Sequence, residues 1–128
     1  MTVLFISDLH LCEERPQTTA LFEKFMGEIA PAATAIYILG DLFEYWIGDD
    51  QLDHDSLAQR VAKSLARLAN SGVHIYFMHG NRDFLIGERF AREAGLRILP
   101  DPTSITVDGI ALLLMHGDTL CTDDIAYQ

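Results

Sequence analysis

Apolar residues fall along this chain in blocks whose spacing changes from one block to the next, and the spacing predicts most of the elements. "TVLFIS", residues 2–7, holds β-branched and aromatic side chains without a charge, the pattern of a strand buried on both faces. In "QTTALFEKFMGEIA" the positions Leu21, Phe22, Phe25, Met26 and Ile29 recur at helical spacing, and Pro31 ends the helix. "TAIYILG", 34–40, predicts a second buried strand. Leu57, Val61, Leu65 and Leu68 stripe a helix that starts at Asp53 or Asp55, both suitable caps, and stops near Asn70-Ser71-Gly72. "VHIYFM", 73–78, predicts a third strand, and "FLIGERFAREAG" holds a short helix ending at Gly95. Thr103 to Val107 and Ile110 to Met115 then flank Asp108-Gly109, a pair that favours the type I′ turn of a hairpin.

The order is β-α-β-α-β-α followed by a hairpin. Buried strands alternating with helices imply right-handed crossovers and a mainly parallel sheet, an α/β fold. Connections are short, and no repeat, linker or low-complexity stretch interrupts them, so a single domain over 1–128 is expected. The longest apolar run, Ile110 to Met115, is too short to span a bilayer, and the N-terminus lacks the basic region and cleavage site of a secretory leader. A cytoplasmic location is the expectation, with peripheral membrane contact left open.

Composition narrows the partners. A chain of 128 residues that is 49% apolar and 22% charged is expected to fold around one core. Nine basic against nineteen acidic residues leave a formal charge of −10, which argues against nucleic acid and is compatible with metal binding. Cys12 and Cys121 make no disulfide framework and read as reduced thiols.

Four predicted strands run into polar clusters. The first leads to "SDLHL" with Asp8 and His10, and the second to "GDLFE" with Asp41. The third leads to "HGNRD" with His79, Asn81, Arg82 and Asp83, and the last to "HGD" with His116 and Asp118. Alone, each reads as an ordinary turn or a satisfied histidine. Ligands of open parallel sheets bind beyond the carboxyl ends of the strands, so the loops should converge. Mixed carboxylate, imidazole and amide donors suit Mn²⁺, Fe²⁺ or Zn²⁺ better than Ca²⁺. Within "GDLFEYWIGDD", 40–50, Asp49 and Asp50 read as a solvated loop end, and His79 as packing beside the site. His54 and His74 read as structural or exposed.

These motifs carry a resemblance. The series D-x-H, G-D, G-N and H-G resembles the calcineurin-like metallophosphoesterase superfamily. The longer blocks "SDLHL", "GDLFEYWIGDD", "GNRDFLIG" and "HGDTLCTDDIAYQ" closely resemble its UDP-2,3-diacylglucosamine pyrophosphate hydrolases of lipid A biosynthesis. The resemblance implies a layered α/β/β/α sandwich and hydrolysis of UDP-2,3-diacylglucosamine to 2,3-diacylglucosamine 1-phosphate and UMP. It implies two Mn²⁺ ions, one held by Asp8 and His10, the other by Asn81 and His116, with Asp41 bridging. A water bridging the ions would attack the phosphorus, with Arg82 stabilising phosphate charge. Asn81, Arg82, Asp124 and Tyr127 match substrate-binding positions, and Trp46 would support the site or face a lipid-bearing substrate. The implied location is peripheral, on the cytoplasmic face of the inner membrane.

One departure from the pattern stands out. The superfamily completes its metal set with a late Gly-His-x-His motif, whereas the histidines here are His10, His54, His74, His79 and His116. The chain therefore reads as the N-terminal half of such a domain, expected on its own to bind metal weakly, to be inactive and to self-associate. Two other readings are a phosphoesterase acting on a different nucleotide diphosphate or phosphomonoester, and an inactive metal-binding fragment.

Overall fold

A computed structural model describes residues 2–116 of the chain. Four strands, β1 (Val3–Ile6), β2 (Ala35–Leu39), β3 (His74–Met78) and β4 (Leu96–Leu99), form a fully parallel sheet in the order β1-β2-β3-β4. The helices α1 (Pro16–Glu28), α2 (Ser56–Asn70) and α3 (Glu88–Ala94) occupy the crossovers. Strands in sequence order joined by crossovers of one hand place every helix on the same face. The packing agrees: Leu4, Ile6, Ile36, Ile38, Ile75, Phe77, Leu96 and Ile98 meet Phe22, Met26, Val61, Leu65 and Phe90 in one core.

The opposite face is a separate layer. Phe5, Tyr37 and Tyr76 stack across β1, β2 and β3 with ring centroids 5.3 and 4.7 Å apart. Beside them the antiparallel hairpin β5 (Thr103–Val107) and β6 (Ile110–Leu114) packs Leu112 and Leu114 against Leu39 and Met78. Helices, parallel sheet and hairpin thus follow an α/β/β order among the described residues, and the expected α/β class with a mainly parallel sheet holds.

The predicted elements reappear with small shifts. Asp55, not Asp53, caps α2: its carboxylate accepts from the backbone N–H of Leu57 and Ala58 at 2.9 and 3.2 Å. Asp53 instead pairs with Arg89 at 2.6 Å. At the hairpin, Asp108 and Gly109 take φ of 50° and 82°, the positive values a type I′ turn needs. The sequence pattern missed β4. "LRIL" is four residues with a charge in the middle, too short to show a period, and becomes a strand by pairing with β3.

Candidate metal centre

The site forms where the backbone continues its pairing past the ends of β1 and β2. Asp8, His10 and Leu11 donate their N–H groups to the carbonyls of Gly40, Asp41 and Leu42 at 3.1, 3.0 and 2.9 Å, and Glu44 N–H returns to Leu11 O at 3.0 Å. This ladder sets the loop after β1 beside the loop after β2. Asp8, His10 and Asp41 hold φ of 56°, 49° and 54°, a left-handed conformation that non-glycine residues seldom adopt. Such strain persists only where the surroundings over-determine it, and it gathers at functional sites.

The loop after β3 closes from the other side. Its backbone must lie against Asp41: a Cβ added at Gly80 would fall on that side chain, 2.8 Å from its Cγ. Gly40 is equally confined, since a Cβ there would strike the His116 imidazole and stand 2.9 Å from Gly80 Cα. Asp83 ties the two loops together. Its fully buried carboxylate accepts N–H groups from Gly80, Asp41, Leu42 and Phe43 at 3.0, 3.2, 2.7 and 3.3 Å. Burial pushes its pKa above the ordinary carboxyl value, and these backbone N–H groups oppose the rise.

Two imidazoles then face the Asp41 carboxylate. His10 Nδ1 lies 2.8 Å from Glu44 Oε1, while Nε2 lies 3.7 Å from Asp8 Oδ1 and 3.8 Å from Asp41 Oδ2. His116 Nδ1 lies 2.7 Å from Leu39 O, and its Nε2 is 3.2 Å from Asp41 Oδ2. A carbonyl can only accept, so the proton of neutral His116 sits on Nδ1 and the Nε2 lone pair points at a carboxylate. Two acceptors facing one another need a proton or a cation between them. One oxygen or nitrogen each from Asp8, His10 and Asp41 lies within 4.8 Å of the others, close enough for one cation to touch all three. The donor set fits a divalent metal of the Mn²⁺–Zn²⁺ range.

The remaining sequence candidates divide. Arg82 donates its backbone N–H to Asp41 Oδ1 at 2.9 Å, and its side chain is exposed. Asn81 precedes it, also exposed. Asp118, Asp124 and Tyr127 lie outside the described residues. His79 supports the loop through Nε2 and Ile86 O, 2.7 Å apart, and His54 and His74 are exposed.

Sequence reasoning missed three carboxylates. Asp49 is not a solvated loop end: it accepts from Trp46 Nε1 and from the N–H groups of Gly87 and Phe90 at 3.0 Å each, clasping the start of α3. Glu44 carries no local signal of a role because its partner His10 is 34 residues away, and three of the four N–H groups on Asp83 come from 40 to 42 residues away. Trp46, with Phe43 and Phe90, forms a buried aromatic cluster.

The family model of the calcineurin-like phosphoesterases matches residues 1–127. The chain belongs to the calcineurin-like phosphoesterase family. Metallophosphoesterases depend on metal, in keeping with the cluster of donors at the strand ends. The chain is 61% identical over 128 residues to a UDP-2,3-diacylglucosamine hydrolase of Stenotrophomonas maltophilia, covering 51% of it. It is 55% identical to the enzyme of that name from Escherichia coli, covering 52% of it, and 58% identical to that from Pseudomonas aeruginosa, again covering 52%. The chain thus spans about half the length of the curated relatives it matches. A protein of unknown function from Aquifex aeolicus shares the phosphoesterase chain's fold, with a TM-score of 0.59 at 18% identity over 88% of this chain and 59% of that one.

Proposed function

We propose that the protein carrying this chain hydrolyses the diphosphate of UDP-2,3-diacylglucosamine, giving UMP and 2,3-diacylglucosamine 1-phosphate. The observation that carries the reading is the joint orientation of His10 and His116, both turned with Nε2 toward the Asp41 carboxylate. Support for the substrate comes from the relatives of that name, 55 to 61% identical over the whole chain.

In this reading Asp8 and His10 would hold one Mn²⁺, Asn81 and His116 would hold a second, and Asp41 would serve both. When bound, such a pair polarises the phosphoryl oxygens and lowers the pKa of a coordinated water. This chain's own residues do the positioning. Asp83 holds Gly80 against Asp41, so the two loops keep their spacing as substrate enters. Arg82, its backbone tethered to Asp41, reaches outward with a planar guanidinium suited to two phosphate oxygens at once. Water supplies the oxygen that joins UMP, and the phosphorus–oxygen bond to the sugar phosphate breaks. Asn81, Asp124 and Tyr127 complete the substrate contacts in the same reading.

We place the protein peripherally on the cytoplasmic face of the inner membrane, because its substrate is a lipid and none of the described helices is long and apolar enough to cross a bilayer. Residues 1–128 form the N-terminal part of one domain. The isolated chain should self-associate, since β1 and β4 are both sheet edges among the described residues.

The test is UMP release by the intact protein from UDP-2,3-diacylglucosamine, set against a chromogenic phosphomonoester and other nucleotide diphosphates. Preferential turnover of the diacylated substrate supports the reading. Faster turnover of another diphosphate or of the monoester points to a different member chemistry and overturns it.

A further inference from the structure

Three carboxylates surround the imidazole of His10, and only two of them lie on the side of Nε2. Glu44 stands behind the ring, with Oε1 2.8 Å from Nδ1. Both partners are held. Glu44 N–H is bonded to Leu11 O at 3.0 Å, one residue past His10, and its neighbours Phe43 and Trp46 are 2% and 3% exposed. The side chains of His10 and Glu44 are themselves only 26% and 20% exposed, so water replaces this contact poorly. In the cation-free protein Glu44, Asp8 and Asp41 repel one another around a single ring, within a chain whose charge is −10. A cation on the Nε2 side turns that repulsion into attraction. His116 differs, because its Nδ1 meets the uncharged carbonyl of Leu39.

We propose that Glu44 is a positioning residue for His10: its carboxylate accepts the Nδ1–H, fixes the tautomer with the lone pair on Nε2, and strengthens that nitrogen as a ligand for a divalent cation. The proposal rests on the reading of His10 as a metal ligand and adds the group that sets its tautomer and donor strength. Rotating the ring would put a C–H against the carboxylate, so the hydrogen bond also selects the ring's orientation.

The experiment compares Glu44→Gln, Glu44→Ala and Asp41→Ala in the intact protein. Mn²⁺ affinity is measured by calorimetry, and the tautomer of neutral His10 by imidazole ¹⁵N shifts in the metal-free protein. Gln loses the charge, and its amide can either accept the Nδ1–H or donate its NH₂ to a bare Nδ1, so it should mix the tautomers and weaken Mn²⁺ on the order of 10-fold. Ala keeps neither charge nor acceptor; it should mix the tautomers and weaken Mn²⁺ on the order of 10–100-fold. A role confined to packing would not move the ¹⁵N shifts toward a mixture of tautomers. Unchanged affinity and tautomer in Glu44→Ala overturns the proposal. In that event Asp41→Ala separates the two ideas. If it abolishes binding, the metal centre stands without a role for Glu44; if it is also silent, the metal-centre reading falls too.

Discussion

Asp83 shows how much one buried carboxylate can organise. Its two oxygens receive four backbone N–H groups, from Gly80 and Asp41 on one and from Leu42 and Phe43 on the other. Asn has the same shape but only one oxygen, so two donors would face an amide NH₂. With an unsatisfied buried group costing ~1–3 kcal/mol, Asp83→Asn should lose roughly 2–5 kcal/mol in urea unfolding. A loss below that range would mean the loops are held by something else. Arg82 makes the opposite case, since its exposed side chain contributes little to the fold. Arg82→Ala should leave stability and Mn²⁺ binding unchanged while cutting turnover strongly, and Arg82→Lys should restore little because the fork geometry is lost. Full activity of the Lys variant would contradict a phosphate clamp.

Elements here owe their positions to end groups and cross-strand contacts as much as to propensity. The cap of α2 is the clearest example. Asp55→Ala removes the acceptor for Leu57 and Ala58 N–H and should cost about 0.5–2 kcal/mol by denaturant unfolding, while Asp53→Ala should cost less. The strand stack offers a pH test. Burial, with Tyr76 beside it, raises the Tyr37 phenol above its ordinary value of 10.0. A group raised on folding stabilises the fold fully below its unfolded pKa, and that contribution is lost as pH rises through the folded one. Stability should therefore decline above the ordinary tyrosine range, and Tyr37→Phe should flatten the decline in unfolding measured across alkaline pH. An identical slope in the variant would remove Tyr37 as its cause.

At the scale of the whole molecule, the site couples layers that the chain threads far apart. Asp8 and His10 follow β1, Asp41 and Glu44 follow β2, Asp83 follows β3 and His116 follows β6. A cation held between them would bind the folded chain and not the unfolded one. Its stabilisation is about 2.7 kcal/mol at a free concentration near 100 times Kd. Mn²⁺ should raise the midpoint of thermal unfolding of the intact protein, a chelator should lower it again, and Asp41→Ala should abolish the response. A midpoint indifferent to Mn²⁺ would contradict a cation shared between the layers.

Local order was written into the chain. The stripe Leu57, Val61, Leu65, Leu68 determines α2 because the 3.6-residue period is a property of the sequence itself, and Asp108-Gly109 determines its turn by tolerating positive φ. The grouping of Asp8, His10 and Asp41 was legible for a related reason: each follows a strand of the parallel sheet, and such sheets gather ligands at that end, whereas His116 follows β6 of the hairpin. What the tertiary structure alone decided are partnerships across distance. "LRIL" became β4 by finding β3, Asp49 a clasp by finding Gly87 and Phe90, and Glu44 the partner of His10 across 34 residues. Periodicity records which way a side chain faces, but a hydrogen bond between loops depends on where folding brings both of its ends.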